Sequence, residues 1–246
     1  MDNITYVVVD ANEEKYSYTL YTESETTYYF CAYAKNSDGE VYYGNVLSFT
    51  TPEPSGSEAI DLGLSVKWAS CNVGATSPEE YGDYYAWGET GEKTNYDRST
   101  YKWHNGSALT KYCDVAQSGI VDNKTALELE DDVAHVNWGG SWRIPTLYEM
   151  QELYTECSWR WTSVNGINGY RVIGPNGNSI FLPAAGYRDG TVVIALGSHG
   201  NYWSRDLLES YHSCYPFHFT FHKNSMLYSS YSLFRWCGLT VRPVTK

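Results

Sequence analysis

Apolar and polar residues alternate between positions 4 and 51 in the way that is typical of short β-strands. The alternating runs are I-T-Y-V-V-V-D, Y-S-Y-T-L-Y, T-T-Y-Y-F-C-A-Y-A and V-Y-Y-G-N-V-L-S-F-T-T. Successive side chains of a strand point to opposite faces of its sheet, so each run predicts a strand with two unlike faces. The turn Ser37-Asp38-Gly39 lies between two of the runs and predicts a hairpin. Residues 1–51 are therefore predicted to form an all-β domain.

A stretch rich in Pro, Gly and Ser, P-E-P-S-G-S-E, follows this domain and predicts a linker over residues 52–59. The second domain, residues 60–246, begins with a strand-like run and continues into an irregular stretch rich in Gly, Asp and aromatic residues. The hydrophobic pattern beyond it predicts helices first and an antiparallel sheet later. This order is typical of an α+β fold.

The strongest helix signal of the second domain begins at Thr146. Thr146 suits an N-cap and Glu149 completes a capping box. The apolar residues that follow at helical spacing are Leu147, Met150, Leu153, Tyr154 and Cys157. A shorter helix is predicted from Asp131 through His135, and a hairpin is predicted to turn at Gly174-Pro175-Asn176-Gly177.

Composition narrows the possible functions. The chain has 24 Tyr and 9 Trp among 246 residues, which excludes a disordered chain. A net charge of −12 argues against a nucleic-acid partner, because phosphate binding needs a concentrated positive field. The six Cys form no C-x-x-C pair, so they are interpreted as buried or incidental thiols rather than zinc ligands. No apolar run is long enough to predict a membrane span.

The segment T-T-Y-Y-F-C-A-Y-A-K-N followed by G-N-V-L-S-F-T-T resembles the last two strands of a fibronectin type III domain. Tyr28 stands where the corner tyrosine of that family would be. A complete sandwich of this kind takes about 100 residues, so residues 1–51 are expected to be part of one, with further domains and an export signal upstream.

Seven runs of the second domain, in this order, resemble the Fibrobacter succinogenes major paralogous domain. They span residues 61–75, 84–90, 109–113, 137–146, 168–188, 201–204 and 238–244. The resemblance implies a C-type-lectin-like fold, which is shared with the formylglycine-generating enzymes. It also implies a surface-exposed or lipoprotein-borne module of Bacteroidetes-type bacteria or their phages, often behind fibronectin-like domains.

The tail, residues 205–237, is crowded with Tyr, Ser, His and Phe, as binding loops are. It lies between Tyr202-Trp203-Ser204 and G-L-T-V-R-P-V, and so resembles the variable segment of proteins diversified by retroelements. Adenine-directed mutation of Asn codons reaches every residue type in the tail except those of Glu209, Lys223, Met226 and Trp236. The rest of the chain contains unreachable types at a similar frequency, so the hypothesis depends on the position and composition of the tail.

Strand alternation in P-F-H-F-T-F-H predicts a core face of Phe217, Phe219 and Phe221 and an outward face of His218, Thr220 and His222. The alternative is that the aromatic residues of the tail only fill the sheet. The complete predicted ligand-binding set is Arg205, Asp206, Leu208, Tyr211, His212, Tyr215, His218, Thr220, His222, Tyr231, Leu233, Phe234 and Trp236.

No catalytic or metal-binding residue and no cofactor is predicted. His218 and His222 lie four residues apart, which is roughly 13 Å along a strand and too far for one ion. The E-P-N, Q-P-D and W-N-D motifs of calcium-dependent lectins are missing, as are a phosphate loop, a nucleophile elbow and H-E-x-x-H.

The sequence thus predicts a non-enzymatic ligand-binding protein, an adhesin or receptor-binding protein that binds a protein or glycan on another cell. It is expected at the cell surface or secreted, with a lipoprotein or a phage virion component as alternatives. Its oligomeric state stays open. One functional alternative is an undiversified, polysaccharide-binding adhesin. The other is an oxidase related to the formylglycine-generating enzymes, which would need copper and either Cys214 or Cys237.

Overall fold

The computed structural model describes residues 26–50, 58–207, 215–230 and 233–246, with the side chains of residues 227–230 left out of the description. The chain divides into two compact units, Met1–Thr51 and Pro52–Lys246. The division falls where the linker was predicted to begin.

Two small antiparallel sheets form the described part of the first unit. Strands β1 (Thr27–Phe30) and β4 (Leu47–Thr50) pair with each other, and β2 (Tyr33–Lys35) pairs with β3 (Val41–Tyr43). The predicted hairpin is confirmed: the Asn36 side chain accepts hydrogen bonds from the amides of Asp38 and Glu40, and Gly39 has φ of 89°. No residue between 26 and 50 is buried, because sheets of two strands have too little area to enclose a core.

The second unit contains eleven strands within its described residues. The first four are β5 (Ala59–Ile60), β6 (Lys67–Ala69), β7 (Ser158–Val164) and β8 (Ile167–Ile173). The next four are β9 (Ser179–Pro183), β10 (Tyr187–Asp189), β11 (Val192–Ile194) and β12 (His199–Leu207). The last three are β13 (Pro216–His222), β14 (Ser225–Ser230) and β15 (Val244–Thr245). They form three-stranded sheets β15–β6–β5, β7–β8–β9 and β12–β13–β14, and the pair β10–β11.

Two α-helices precede most of these strands. Helix α1 (Val133–Trp138) begins at Asp132, whose carboxylate accepts from the amides of Ala134 and His135. Helix α2 (Leu147–Glu156) has the predicted capping box, in which Thr146 and Glu149 each bond the other's backbone amide. Single turns of 3₁₀ helix occur at Arg98–Thr100 and Leu129–Asp131. Strand residues outnumber helical ones, 38% to 11%, so the fold is mostly β with two short helices.

The predicted turn at Gly174–Gly177 connects β8 to β9 as an antiparallel hairpin. Gly177 has φ of 87°, a conformation that residues with a Cβ rarely adopt. In β12, Gly200 is required by packing: a Cβ there would lie 2.1 Å from the Phe221 ring. The predicted core positions Phe219 and Phe221 are buried, and Phe217 is only half-buried.

Two hydrophobic cores cover opposite faces of the β12–β13 pair. The first core contains Trp87, Tyr112 and Trp203, and the second contains Tyr202, Phe219 and Phe221. Tyr202 and Trp203 are consecutive residues of one strand, so their side chains enter different cores. The sheet is therefore buried on both faces along this part of its length.

Arg242 ties three distant segments together inside the second unit. Its guanidinium is 1% exposed and donates to the Asn72 side chain (2.8 Å) and to the carbonyls of Ala69 (3.0 Å), Ser70 (2.7 Å) and Phe181 (2.9 Å). A buried cation is tolerated when each of its donors finds an acceptor. Arg242 thus has a structural role.

Candidate ligand-binding surface

Part of the predicted site cannot be placed. Leu208, Tyr211, His212 and Tyr231 lie outside the described residues. Leu233 is half-buried and packs against the first core. The other eight predicted residues lie within the described ranges. Their contacts show which of them belong to the interior of the fold and which lie at its surface.

The prediction that His218 faces outward is wrong. Its side chain is 1% exposed and packs edge-on against Trp203, with ring centroids 5.8 Å apart. The first core covers this end of the strand, so both faces of β13 are buried here. Farther along the same strand, Thr220 is half-buried and His222 is exposed, because the cover ends.

Arg205 and Asp206 are occupied by contacts within the fold. The Asp206 carboxylate accepts a hydrogen bond from the Leu147 amide (2.7 Å) at the start of α2, and burial raises the pKa of this carboxyl. Arg205 donates to the Leu127 carbonyl at 2.5 Å. Both side chains are half-buried, so their predicted place on an open contact surface is not supported by their geometry.

Three predicted residues form a continuous column of rings, which we call the aromatic stack: Tyr215, Phe234 and Trp236. Phe234 lies between the other two rings. Its centroid is 4.9 Å from that of Tyr215 and 4.4 Å from that of Trp236, with interplanar angles of 29° and 11°. Phe234 is 39% exposed, while Tyr215 and Trp236 are half-buried. The stack combines an exposed centre with anchored ends.

Arg235 holds the segment that carries the stack. Its side chain is 0% exposed, lies over the Trp87 ring (5.4 Å to the centroid) and donates to the Tyr112 carbonyl at 3.1 Å. The Arg235 carbonyl also accepts from the Trp87 amide (2.8 Å). Arg235 is turned inward, and the rings of its neighbours Phe234 and Trp236 stack on each other.

Sequence reasoning missed the residues that extend the stack from a distant loop. The Arg98 guanidinium lies 6.0 Å from the Trp236 ring centroid and donates from Nε to Nε2 of His104 (2.9 Å). Trp236 also packs against the buried cluster that contains Tyr96 and Tyr101. No local pattern could reveal these contacts, since more than 130 residues separate Arg98 from Trp236.

Three carboxylates near Trp103 form ion pairs with the amine of Lys111. Oxygens of Glu128, Glu130 and Asp131 lie within 4.8 Å of one another. The Lys111 amine is 2.6 Å from both Glu128 and Asp131 and 3.6 Å from Glu130. Hydrogen bonding to Lys111, followed by bonding to Lys124, lowers the pKa of Glu128 to about 2. Lys102 pairs with Asp131 and Lys124 pairs with Glu128, so three lysines face the three carboxylates and the cluster is a structural network.

The described cysteines resemble structural rather than reactive thiols. Cys71, Cys113 and Cys237 are buried, and the free thiols of Cys31 and Cys157 are half-buried. Burial raises the pKa of Cys237 to about 12, which suppresses the nucleophilic thiolate. Cys214 lies outside the described residues.

Comparison of the chain with protein-family models, with curated proteins and with solved structures finds no match. Within the ranges that the structure describes, no helix has the length and apolar character needed to cross a membrane.

Proposed function

We propose that the chain is a non-enzymatic ligand-binding module and that the aromatic stack is the centre of its contact surface. The observation that carries the proposal is the ring column itself, with Phe234 39% exposed between two anchored rings. Binding energy at protein interfaces concentrates in such rigid aromatic anchors, because they offer a large contact area at a small entropy cost.

The geometry favours a protein ligand over a glycan. Sugar rings pack on the open faces of aromatic rings, but both faces of Phe234 are covered by its neighbours in the stack. The free face of Trp236 lies under the Arg98 guanidinium. The ring edges remain available, and edges suit insertion into a pocket of another protein. We therefore assign the ligand to the protein class.

The proposed setting combines the sequence resemblances with the mostly β fold. The second unit would be a C-type-lectin-like domain of the Fibrobacter succinogenes major paralogous type, and the first would be part of a fibronectin type III sandwich. A surface or secreted adhesin, or a phage receptor-binding protein, fits both parts. The tail would be the variable segment of a diversity-generating retroelement, which supplies new contact residues to a fixed scaffold.

The oxidase alternative has weaker support. It requires a reactive thiol at Cys214 or Cys237. Cys214 lies outside the described residues, and Cys237 is 3% exposed with its pKa raised to about 12 by burial. A buried neutral thiol is a poor copper ligand and a poor nucleophile. The surface that the tail builds is better explained by binding than by turnover.

Replacing Phe234 with alanine tests the proposal. We expect Phe234→Ala to weaken binding of the fluorescently labelled chain to intact bacterial cells by at least tenfold, because truncating a central anchor typically costs about 2 kcal/mol or more. The matched control is Tyr148→Ala on α2, which removes an aromatic ring that is 79% exposed and outside the stack. Cell binding is measured by flow cytometry over a range of chain concentrations.

The same experiment separates the ligand classes. Protease treatment of the cells should abolish binding, and a glycan array should give no signal that Phe234→Ala removes. Wild-type affinity in Phe234→Ala, with native circular dichroism, would contradict the proposed surface. Binding that resists protease and is lost after glycosidase treatment would instead support the polysaccharide-binding alternative.

A further inference from the structure

His199 and His222 are paired across two neighbouring strands, at the end of the β12–β13 sheet that the cores leave open. They are direct partners in the antiparallel register. Their ring centroids are 5.1 Å apart with an interplanar angle of 44°. His199 is half-buried and His222 is exposed. Two imidazoles thus lie side by side on a backbone fixed by the strand pairing.

This separation matches the one that a shared metal ion requires. Imidazole nitrogens lie about 2.1 Å from a tetrahedral Zn²⁺ ion, which places the centroids of two ligating rings roughly 5 Å apart. Little rearrangement beyond side-chain rotation would be needed at a centroid separation of 5.1 Å. A shared ion requires the two rings to lie close together. His218 and His222 are too far apart along one strand, but His199 and His222 lie close enough because they are partners on neighbouring strands.

The hydrogen bonds of the two rings leave nitrogens for an ion. Nδ1 of His199 lies 2.9 Å from the Ser198 hydroxyl, and this contact can orient the ring while Nε2 stays open. Nδ1 of His222 lies 3.5 Å from the Asn224 amide, at the outer limit of a hydrogen bond, so its tautomer is weakly fixed.

We propose that His199 and His222 together bind one divalent transition-metal ion, of the class Zn²⁺, Ni²⁺ or Cu²⁺, with water completing its coordination. Imidazole is a ligand that all three ions accept. The bound ion would cross-link β12 to β13, a strand that lies within the tail. This inference is independent of the proposed function, because it depends only on the two described strands.

Calorimetric titration of the full chain without an affinity tag tests the site. We expect one Ni²⁺ or Zn²⁺ ion to bind per chain with a dissociation constant on the order of 10 μM, and Cu²⁺ to bind more tightly. His199→Gln and His222→Gln should each weaken binding at least tenfold. The control is His135→Gln, which removes a half-buried imidazole on α1 and should leave the affinity unchanged.

Thermal unfolding in the presence of each ion supplies the second readout. An ion that binds only the folded chain lowers the unfolding equilibrium constant about 100-fold at 100 times its dissociation constant. This stabilisation should appear in the wild type and in His135→Gln and should vanish in His222→Gln. Equal affinity in the double variant His199→Gln/His222→Gln would overturn the proposal, as would wild-type binding weaker than millimolar.

Discussion

His218 shows how much one buried ring can influence the stability of this fold. Among the described residues, neither of its ring nitrogens has a hydrogen-bond partner. Burial lowers the pKa of His218 to about 4, and the Pro216 backbone opposes the shift without reaching hydrogen-bond geometry. The neutral ring is tolerated by the core, but a charged ring is not.

We expect the free energy of unfolding to fall as the pH drops from about 6.5, the pKa of an unfolded histidine, toward 4. Below 6.5 the unfolded chain takes up a proton that folded His218 refuses, so protonation favours unfolding. The expected loss due to His218 is about 2–3 kcal/mol at pH 4.5. Urea unfolding of wild type and His218→Leu at pH 7 and 4.5 measures it as the difference between the two pH dependences.

His222→Leu is the matched control for this residue, because its ring is exposed on the same strand. The pH dependence of this variant should stay much closer to that of the wild type than the pH dependence of His218→Leu, which should be flattened because a buried ring has been removed. A pH dependence that is identical in all three proteins would show that acid sensitivity resides in other groups, such as the carboxylates around Lys111.

Several side-chain contacts fix the first turn of helix α2. Thr146 and Glu149 form the capping box, and Asp206 accepts from the Leu147 amide. Arg143 pairs with Glu149 through its two terminal guanidinium nitrogens. These contacts satisfy amide groups that a helix leaves unpaired at its first turn. The helix therefore links the tail, through Asp206, to the segment before it.

Thr146→Ala should reduce the free energy of unfolding by about 1 kcal/mol, since it removes the acceptor for the Glu149 amide. The control Thr155→Ala lies near the other end of the same helix and should change stability by less than about 0.5 kcal/mol. Urea unfolding at pH 7 provides both values. Equal effects of the two substitutions would mean that the cap contributes nothing beyond helix propensity.

At the scale of the molecule, burial determines which tail positions can vary. If a retroelement diversifies this gene, codon 234 should vary, because Phe234 is the exposed centre of the stack. The buried positions 218, 219, 221 and 235 should stay constant, since changes there would leave cavities or unpaired charges. Trp236 should also stay constant, as the anchor that adenine-directed change of an Asn codon cannot produce.

Deep sequencing of the 3′ part of the gene in a grown population, together with its flanking DNA, checks this pattern. A nearby near-copy that differs mainly at adenines, with variation confined to exposed positions, is the expected result. Variation spread equally over buried codons would contradict the structural assignment. An invariant gene without such a copy would contradict diversification and leave a fixed adhesin.

Sequence reasoning succeeded where the signal was local. The Thr146 cap, the turn before Gly39 and the hairpin at Gly177 each depend on a few consecutive residues, and the structure confirms all three. It failed for His218, because period-two alternation assumes one open face, and the first core closes that face. It also missed Arg98, which reaches Trp236 only through the tertiary fold.

Arg242 is translated after all of the residues that accept its hydrogen bonds. The Ser70 carbonyl accepts from a guanidinium that lies 172 residues farther along the chain. At ordinary translation rates, the ribosome takes roughly 10 to 35 s to add that many residues. Until then, the residues around Ala69 and Phe181 lack the group that holds them together. The second unit therefore gains these interior hydrogen bonds only late in its synthesis.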